Sequence, residues 1–230
     1  MATHILLTGA TRGIGAAIAD ALRERGATLF AAASADADLS TPEGPALLWE
    51  QALERLDGRV DVLINNAGVF EAAPLDGPDA LWAEQWRRTM TINLDASALL
   101  CRSAVLAWQA RASGGRIVNI ASRAAYRGDS PAHWHYAASK AGMVGMTKTI
   151  ARGYAAQGIL AFAVCPGFTR TGMADDYLAS RGGDKLLADI PLGRVAEPEE
   201  IAAITAFLAL DAPPSMTGAV LDANGASYVR

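Results

Sequence analysis

His4-Ile-Leu-Leu-Thr8-Gly9-Ala-Thr-Arg12-Gly13-Ile-Gly15 decides the fold of this chain. A short apolar run enters a glycine-rich turn, which predicts a buried strand. Beyond the turn, Ile14, Ile18, Ala21 and Leu22 recur at helical spacing and stop at Gly26, so a helix follows. A strand, glycine turn and helix in this order bring backbone N–H groups toward a pyrophosphate at the helix N-terminus. The spacing is G-x-x-x-G-x-G rather than the commoner G-x-G-x-x-G, and a tight turn without a ligand would use the same residues.

The pattern repeats outward from there. Thr28 to Ala33 reads as a second parallel strand. Ser34-Ala-Asp-Ala-Asp38-Leu39 then runs almost directly into Thr41-Pro42 and a helix over 42–56, which leaves room only for a turn and a short strand. Val60 to Ile64 is a strand ending in Asn65-Asn-Ala-Gly68, polar residues on the ligand side of an open sheet. One long helix is expected over 79–112, with Asn93 in its middle. Arg116 to Ser122 is a strand that ends in a hydroxyl, 135–157 a helix, Ile159 to Cys165 a strand, 198–210 a helix and 218–222 the last strand. The polar stretch 171–195, with Gly182-Gly183, reads as a lid over a substrate. The expectation is one α/β domain over 1–230, a doubly wound parallel sheet with helices on both faces and a shortened second-to-third strand connection.

The 230 residues are 51% hydrophobic and 19% charged, enough for one sizeable core. A net charge of −4 leaves no electrostatic footprint for nucleic acid. Cys101 and Cys165 stand apart with no metal-ligand spacing, and two free thiols fit a reducing cytoplasm. No basic leader with a long apolar run and no run of 18 apolar residues is present, so neither a signal peptide nor a membrane span is expected.

Tyr136-Ala-Ala-Ser-Lys140 carries the chemistry. Positions four apart share a helix face, roughly 5–6 Å apart at Cβ. The ammonium is expected to draw the phenol down from its ordinary pKa of about 10 toward a useful range. Alone, Y-x-x-x-K is a common surface pattern. Taken with the glycine turn, Asn65-Asn-Ala-Gly68, Asn93, Ser122 and Pro166-Gly167 through Thr171, in this order, it resembles the short-chain dehydrogenase/reductase family over essentially the whole chain.

The resemblance implies a Rossmann-like sheet, a nicotinamide dinucleotide and hydride transfer between that cofactor and a carbonyl or alcohol, with the 3-oxoacyl-thioester reductases as the type it resembles. It makes Tyr136 the general acid or base. Lys140 would tune the phenol and hold the ribose hydroxyls, Ser122 would hydrogen-bond the substrate oxygen, and Asn93 would position a water linking Lys140 to solvent. The cofactor would lie on Gly9, Thr11, Arg12, Gly13, Ile14 and Gly15, with Ser34, Asp38 and Leu39 at the adenine end and Asn66, Ala67 and Gly68 beside the adenosine and ribose. Tyr136, Lys140, Pro166, Gly167, Phe168, Thr169 and Thr171 complete its lining. Ser122, Arg123, Trp134, Tyr136 and Phe168 would face the substrate. No metal is expected.

Ala33 and Ser34 occupy positions where the family distinguishes NAD from NADP by an acidic or a basic residue. Neither is present, and Arg12 tips the balance toward NADP over NAD. The apolar residues Trp86, Leu100, Leu106, Met143, Met146 and Ile150 on the two long helices suggest a homotetramer or homodimer. Two other readings remain open: a dinucleotide sensor without turnover, and a nucleotide-sugar epimerase or dehydratase. The first has no use for an intact Ser122/Tyr136/Lys140/Asn93 set, and the second is usually accompanied by a larger C-terminal substrate region.

Overall fold

The computed structural model describes residues 2–171 and 187–230. Most of the lid expected at 171–195 therefore lies outside the described residues. Six parallel strands form one sheet: β1 (His4–Thr8), β2 (Thr28–Ala32), β3 (Val62–Asn65), β4 (Gly115–Ile120), β5 (Ile159–Pro166) and β6 (Val220–Ala223), in the spatial order β2-β1-β3-β4-β5-β6. The chain winds one way from β1 to β2, then returns to the other side of β1. That reversal opens a crevice beyond the C-terminal ends of β1 and β3, where open α/β sheets hold their ligands.

Alternate residues of each strand face opposite sides, and each side has its own core. Ile5, Leu7, Val62, Ile64, Val118 and Val164 pack under α1 (Gly13–Glu24) and the helix Pro198–Leu210. Leu6, Phe30, Leu63, Ile117 and Ala161 pack under α2 (Gly44–Arg55), α4 (Ala96–Ala110) and α6 (Trp134–Tyr154). Among the described residues two further helices complete the numbering: α3 (Asp79–Met90) and the short α5 (Ala124–Arg127), so that Pro198–Leu210 is α7.

Two expectations change. No strand forms between β2 and α2 among the described residues, so β2 is the sheet's edge. The reason is local: Asp36 folds back to accept the Ala33 N–H (2.8 Å) and pairs with Arg55 (2.9 Å), closing a turn instead of extending the chain. The long helix over 79–110 is continuous but contains a π-helical turn, Thr91–Asp95, between α3 and α4. By length and composition this helix could cross a membrane, yet Leu100, Ala104 and Trp108 bury one of its faces against the sheet.

Candidate active site

The glycine turn follows β1 and is locked from behind. The Thr8 hydroxyl accepts the N–H groups of Asn66 and Ala67 (3.0 Å each), while Asn66 Nδ2 donates to the carbonyls of Thr8 (3.1 Å) and Gly9 (2.9 Å). Asn66 thus clamps the turn. Gly13 has φ +52°, which favours glycine, and a Cβ there would meet Thr171 Cγ2 at 2.8 Å, so Thr171 closes over the turn. The helix behind it, α1, has no side-chain N-cap and no acid in its first turn. Its N–H donors are left for an anion. This backbone fits the pyrophosphate of a dinucleotide.

Asn93 occupies the π-helical turn, a distortion that is frequent at functional sites. It is wholly buried. The Val69 N–H donates to its Oδ1 (2.8 Å) and its Nδ2 donates to the Val69 carbonyl (3.0 Å). Its side chain therefore fixes the segment after Asn65-Asn-Ala-Gly68. A Cβ built on Gly68 would lie 3.2 Å from Asn93 Oδ1 and 3.6 Å from Lys140 Nζ, which brings these three residues together.

Ser122 lies just beyond β4, and Tyr136 and Lys140 lie one turn apart on α6. Ser122 Oγ accepts the Ala124 N–H (3.1 Å), and the Ser122 side chain lies beside the Tyr136 phenol, where it favours the ionised form. Lys140 Nζ donates to the Ile120 carbonyl (2.8 Å) and lies 5.8 Å from the centre of the Tyr136 ring. Three of the expected catalytic side chains thus meet at the C-terminal ends of β4 and β5.

Their acidities differ from expectation. Burial raises the Tyr136 phenol to about 12, against which the Ser122 hydrogen bond pulls down. Burial also lowers Lys140 to about 8. The ammonium therefore loses its proton before the phenol does, and a neutral amine no longer draws a phenol down. In the protein alone, desolvation outweighs the help expected from Lys140.

The other expected residues are placed as follows. Ser34 and Asp38 are exposed beyond β2, where Asp38 accepts the N–H and hydroxyl of Ser40 (2.9 and 2.7 Å), and Leu39 packs on the core. Arg12 and Thr11 are exposed at the glycine turn. Pro166 ends β5, and Phe168 beyond it packs with Ile190 and Val195. Thr169 forms an isolated bridge to Ala196. Trp134 is 53% exposed and meets Trp82 edge-on.

Phe70, which the sequence does not single out, and His133, whose place just before Tyr136 makes it a candidate for substrate contact, stand beside the phenol. Phe70 meets the Tyr136 ring edge-on at 4.7 Å and stacks on His133 at 3.9 Å. The only signal was position, two residues past Gly68 and three before Tyr136. A buried polar network was also missed: Asn65 Nδ2 donates to Asn119 Oδ1 and Asn119 Nδ2 to Thr147 Oγ1, both at 2.8 Å, tying β3, β4 and α6 together beneath the crevice.

A family model described as "Enoyl-(Acyl carrier protein) reductase" matches residues 31–225. The 3-oxoacyl-[acyl-carrier-protein] reductase of Vibrio cholerae is 34% identical over 97% of this chain and 96% of its own. The chain belongs to the short-chain dehydrogenase/reductase family. Within that family it is also 33% identical to the acetoacetyl-CoA reductase of Shinella zoogloeoides, over 99% of each chain. A solved structure from Beutenbergia cavernae, described as an NAD(P) dependent gluconate 5-dehydrogenase with NADP bound at low occupancy, superposes with a TM-score of 0.83. It is 34% identical over 97% of this chain and 95% of that one. As a short-chain dehydrogenase/reductase, the chain is an NAD(P)-dependent oxidoreductase with a Rossmann-like fold. The family model begins at residue 31, beyond the glycine turn, whereas the whole-chain relatives span it.

Proposed function

We propose that this protein reduces a ketone, or oxidises the matching secondary alcohol, with Tyr136 exchanging the proton and NADP as the preferred cofactor. The observation that carries the reading is the Ser122 side chain beside the Tyr136 phenol, with Lys140 one helical turn away and 5.8 Å from the centre of the phenol ring. When bound, the cofactor supplies or accepts hydride at the substrate carbon. Tyr136 gives its phenolic proton to the carbonyl oxygen in reduction and recovers it from the alcohol in oxidation. The Ser122 hydroxyl donates to the same oxygen and steadies the charge that gathers there. Lys140 holds the ribose side of the cofactor and favours the phenolate while it is charged. Asn93, through Val69, keeps that wall in register and holds the water that returns a proton to Lys140. Gly9, Arg12, Gly13, Ile14 and Thr171 hold the phosphates.

The names of the relatives, 3-oxoacyl, acetoacetyl and gluconate, share a carbonyl or alcohol a few carbons from an acyl or carboxyl group. That is the substrate class assigned here. The protein acts as a homodimer or homotetramer in the cytoplasm, a placement supported by two buried, unpaired thiols. The test is NADPH and NADH consumption against a panel of such ketones, with mass spectrometry of any nucleotide that co-purifies. Tyr136→Phe keeps the ring and removes the proton, so turnover should fall ~10²–10⁴-fold with nucleotide binding kept. A variant retaining half the wild-type kcat would remove Tyr136 from this role.

A further inference from the structure

Arg123 follows Ser122 directly. Its N–H donates to the Pro166 carbonyl (2.9 Å), which pins the end of β4 to the end of β5 and holds Arg123 at the crevice. The residue is only 9% exposed, and its guanidinium lies 4.6 Å over the Phe168 ring. Among the described residues the nearest carboxylate is Asp189, at 3.7 Å. That carboxylate already takes its short bond, 2.6 Å, from Arg127. Two guanidinium groups thus share one acid, and Arg123 Nη1 is buried without a hydrogen-bond partner among the described residues. Burial and repulsion from Arg127 both work against the Arg123 charge.

A desolvated guanidinium with an unmet donor is strongly unfavourable in the protein alone. An ion pair built for stability would put the acid in a two-pronged grip, as guanidinium and carboxylate geometry allows. Among the described residues no acid takes up that geometry. The neighbours on either side are Ser122, which meets the phenol, and Phe168, beyond the end of β5.

We infer that Arg123 docks an oxyanion carried by the substrate, a carboxylate or phosphate a few atoms from the carbonyl, and so selects acidic ketones over neutral ones. The inference rests on the reading of Ser122 and Tyr136 as the reacting pair. It places the anion of the substrate on the Phe168 side of that pair.

Calorimetric titration of the enzyme saturated with NADP⁺ tests it, using a short keto acid, the methyl ester of that acid, and a ketone phosphate of similar length. Wild type is expected to bind one of the two anions at least about tenfold more tightly than the ester, the scale of a charge-assisted hydrogen bond. Whichever anion wins identifies the group. Arg123→Met should erase the preference, while Arg123→Lys, with charge but no fork, should keep part of it. Equal affinity of wild type for all three, or a preference that survives Arg123→Met, overturns the inference. So does a tenfold loss of NADP⁺ affinity in Arg123→Met without any change between acid and ester, since the anion would then belong to the cofactor. Selective binding without turnover would count against the proposed reaction and leave the anion site standing.

Discussion

Phe70 lies flat on His133, ring centroids 3.9 Å apart and planes 5° from parallel. Ser130 Oγ sits 2.7 Å from His133 Nδ1, and burial holds the imidazole below its ordinary pKa, so a neutral ring is stacked there at pH 7. With Phe70 edge-on to Tyr136, the pair forms a stiff aromatic wall beside the phenol. Aromatic contacts are worth ~0.5–1.5 kcal/mol beyond their buried area. Phe70→Ala should therefore lower kcat/KM about tenfold for an aryl ketone and by less than about threefold for a small aliphatic one. Equal losses on both would mean that Phe70 supports Tyr136 and does not meet the substrate.

Lys140 gives a pH signature. Its amine is lowered to about 8 by burial, against about 10.4 in an unfolded chain. Between these values the unfolded state binds the extra proton, so stability rises with pH by up to about 1.4 kcal/mol per unit. Below about 8 both states are charged and the full penalty of burial is present. Cys101, Cys165 and Tyr136, all raised by burial, act in the opposite sense above about pH 9. The difference between wild type and Lys140→Met removes their share. Urea unfolding at pH 7.5, 9 and 10 should show Lys140→Met more stable than wild type at pH 7.5, with the gap narrowing as pH rises. A gap independent of pH would mean that Lys140 is not desolvated in the protein.

Particular residues explain what the sequence reveals. Helix α7 is readable to the residue because Pro198 starts it and Glu197 and Glu200 cap it reciprocally. Strands β1, β3, β4 and β5 are apolar runs ending in polar or glycine residues, a local signal. The π-helical turn is not readable, since the apolar spacing around Asn93 fits an ordinary helix, and what distinguishes the turn is the Ala96 N–H donating to the Thr91 carbonyl five residues back. The expected short strand near Asp38 fails because the alternate apolar positions of Ser34-Ala-Asp-Ala-Asp38 are only alanines, which bury little, and Asp36 makes a turn. The pairing of Phe70 with His133, and of Asn65 with Asn119, depends on residues brought together by the sheet, which no spacing records. The acidity of Lys140 and Tyr136 depends on enclosure, which helix geometry alone does not contain.

Assembly draws on residues that only partly overlap those the sequence suggested, Leu106 being common to both. Leu100, Met143 and Ile150 lie in the core of the single chain. The apolar side chains left outside on the long helix are Leu81, Leu99 and Leu106, 58%, 42% and 48% exposed. Leu99 and Leu106 are two turns apart and share a face. Packing that face against its copy is the expected route to a two-fold dimer. Light scattering at micromolar concentration should give a dimer or tetramer, and Leu106→Glu should shift it to a smaller species with its circular dichroism kept. A monomeric wild type would rule this out.

Cofactor choice turns on the edge beyond β2. An acid that accepts the ribose 2′-hydroxyl favours NAD and repels a 2′-phosphate. Two acids are near in sequence, but Asp36 is held by the Ala33 N–H and Arg55, and Asp38 by Ser40, and these hydrogen bonds keep both carboxyls below the usual range. Each is ionised yet committed elsewhere, so neither is positioned as the 2′-hydroxyl acceptor. Arg12 at the glycine turn and Ser34 beyond β2 are both exposed. The sheet ends at β2 with no further strand beside it among the described residues, so the adenine end gains few contacts and stays open to water. NADPH should therefore be preferred to NADH, but by less than about tenfold in kcat/KM, or ~1.4 kcal/mol. Arg12→Ala should bring the ratio close to one, since an exposed charge pair contributes only ~0.2–1 kcal/mol. Asp36→Asn should disturb the turn through its bond to Ala33 without creating an NADH preference. A hundredfold preference for either cofactor would refute the open edge, and an NADPH preference that survives Arg12→Ala would move the phosphate contact to Ser34 and the backbone of the Ala33–Asp36 turn.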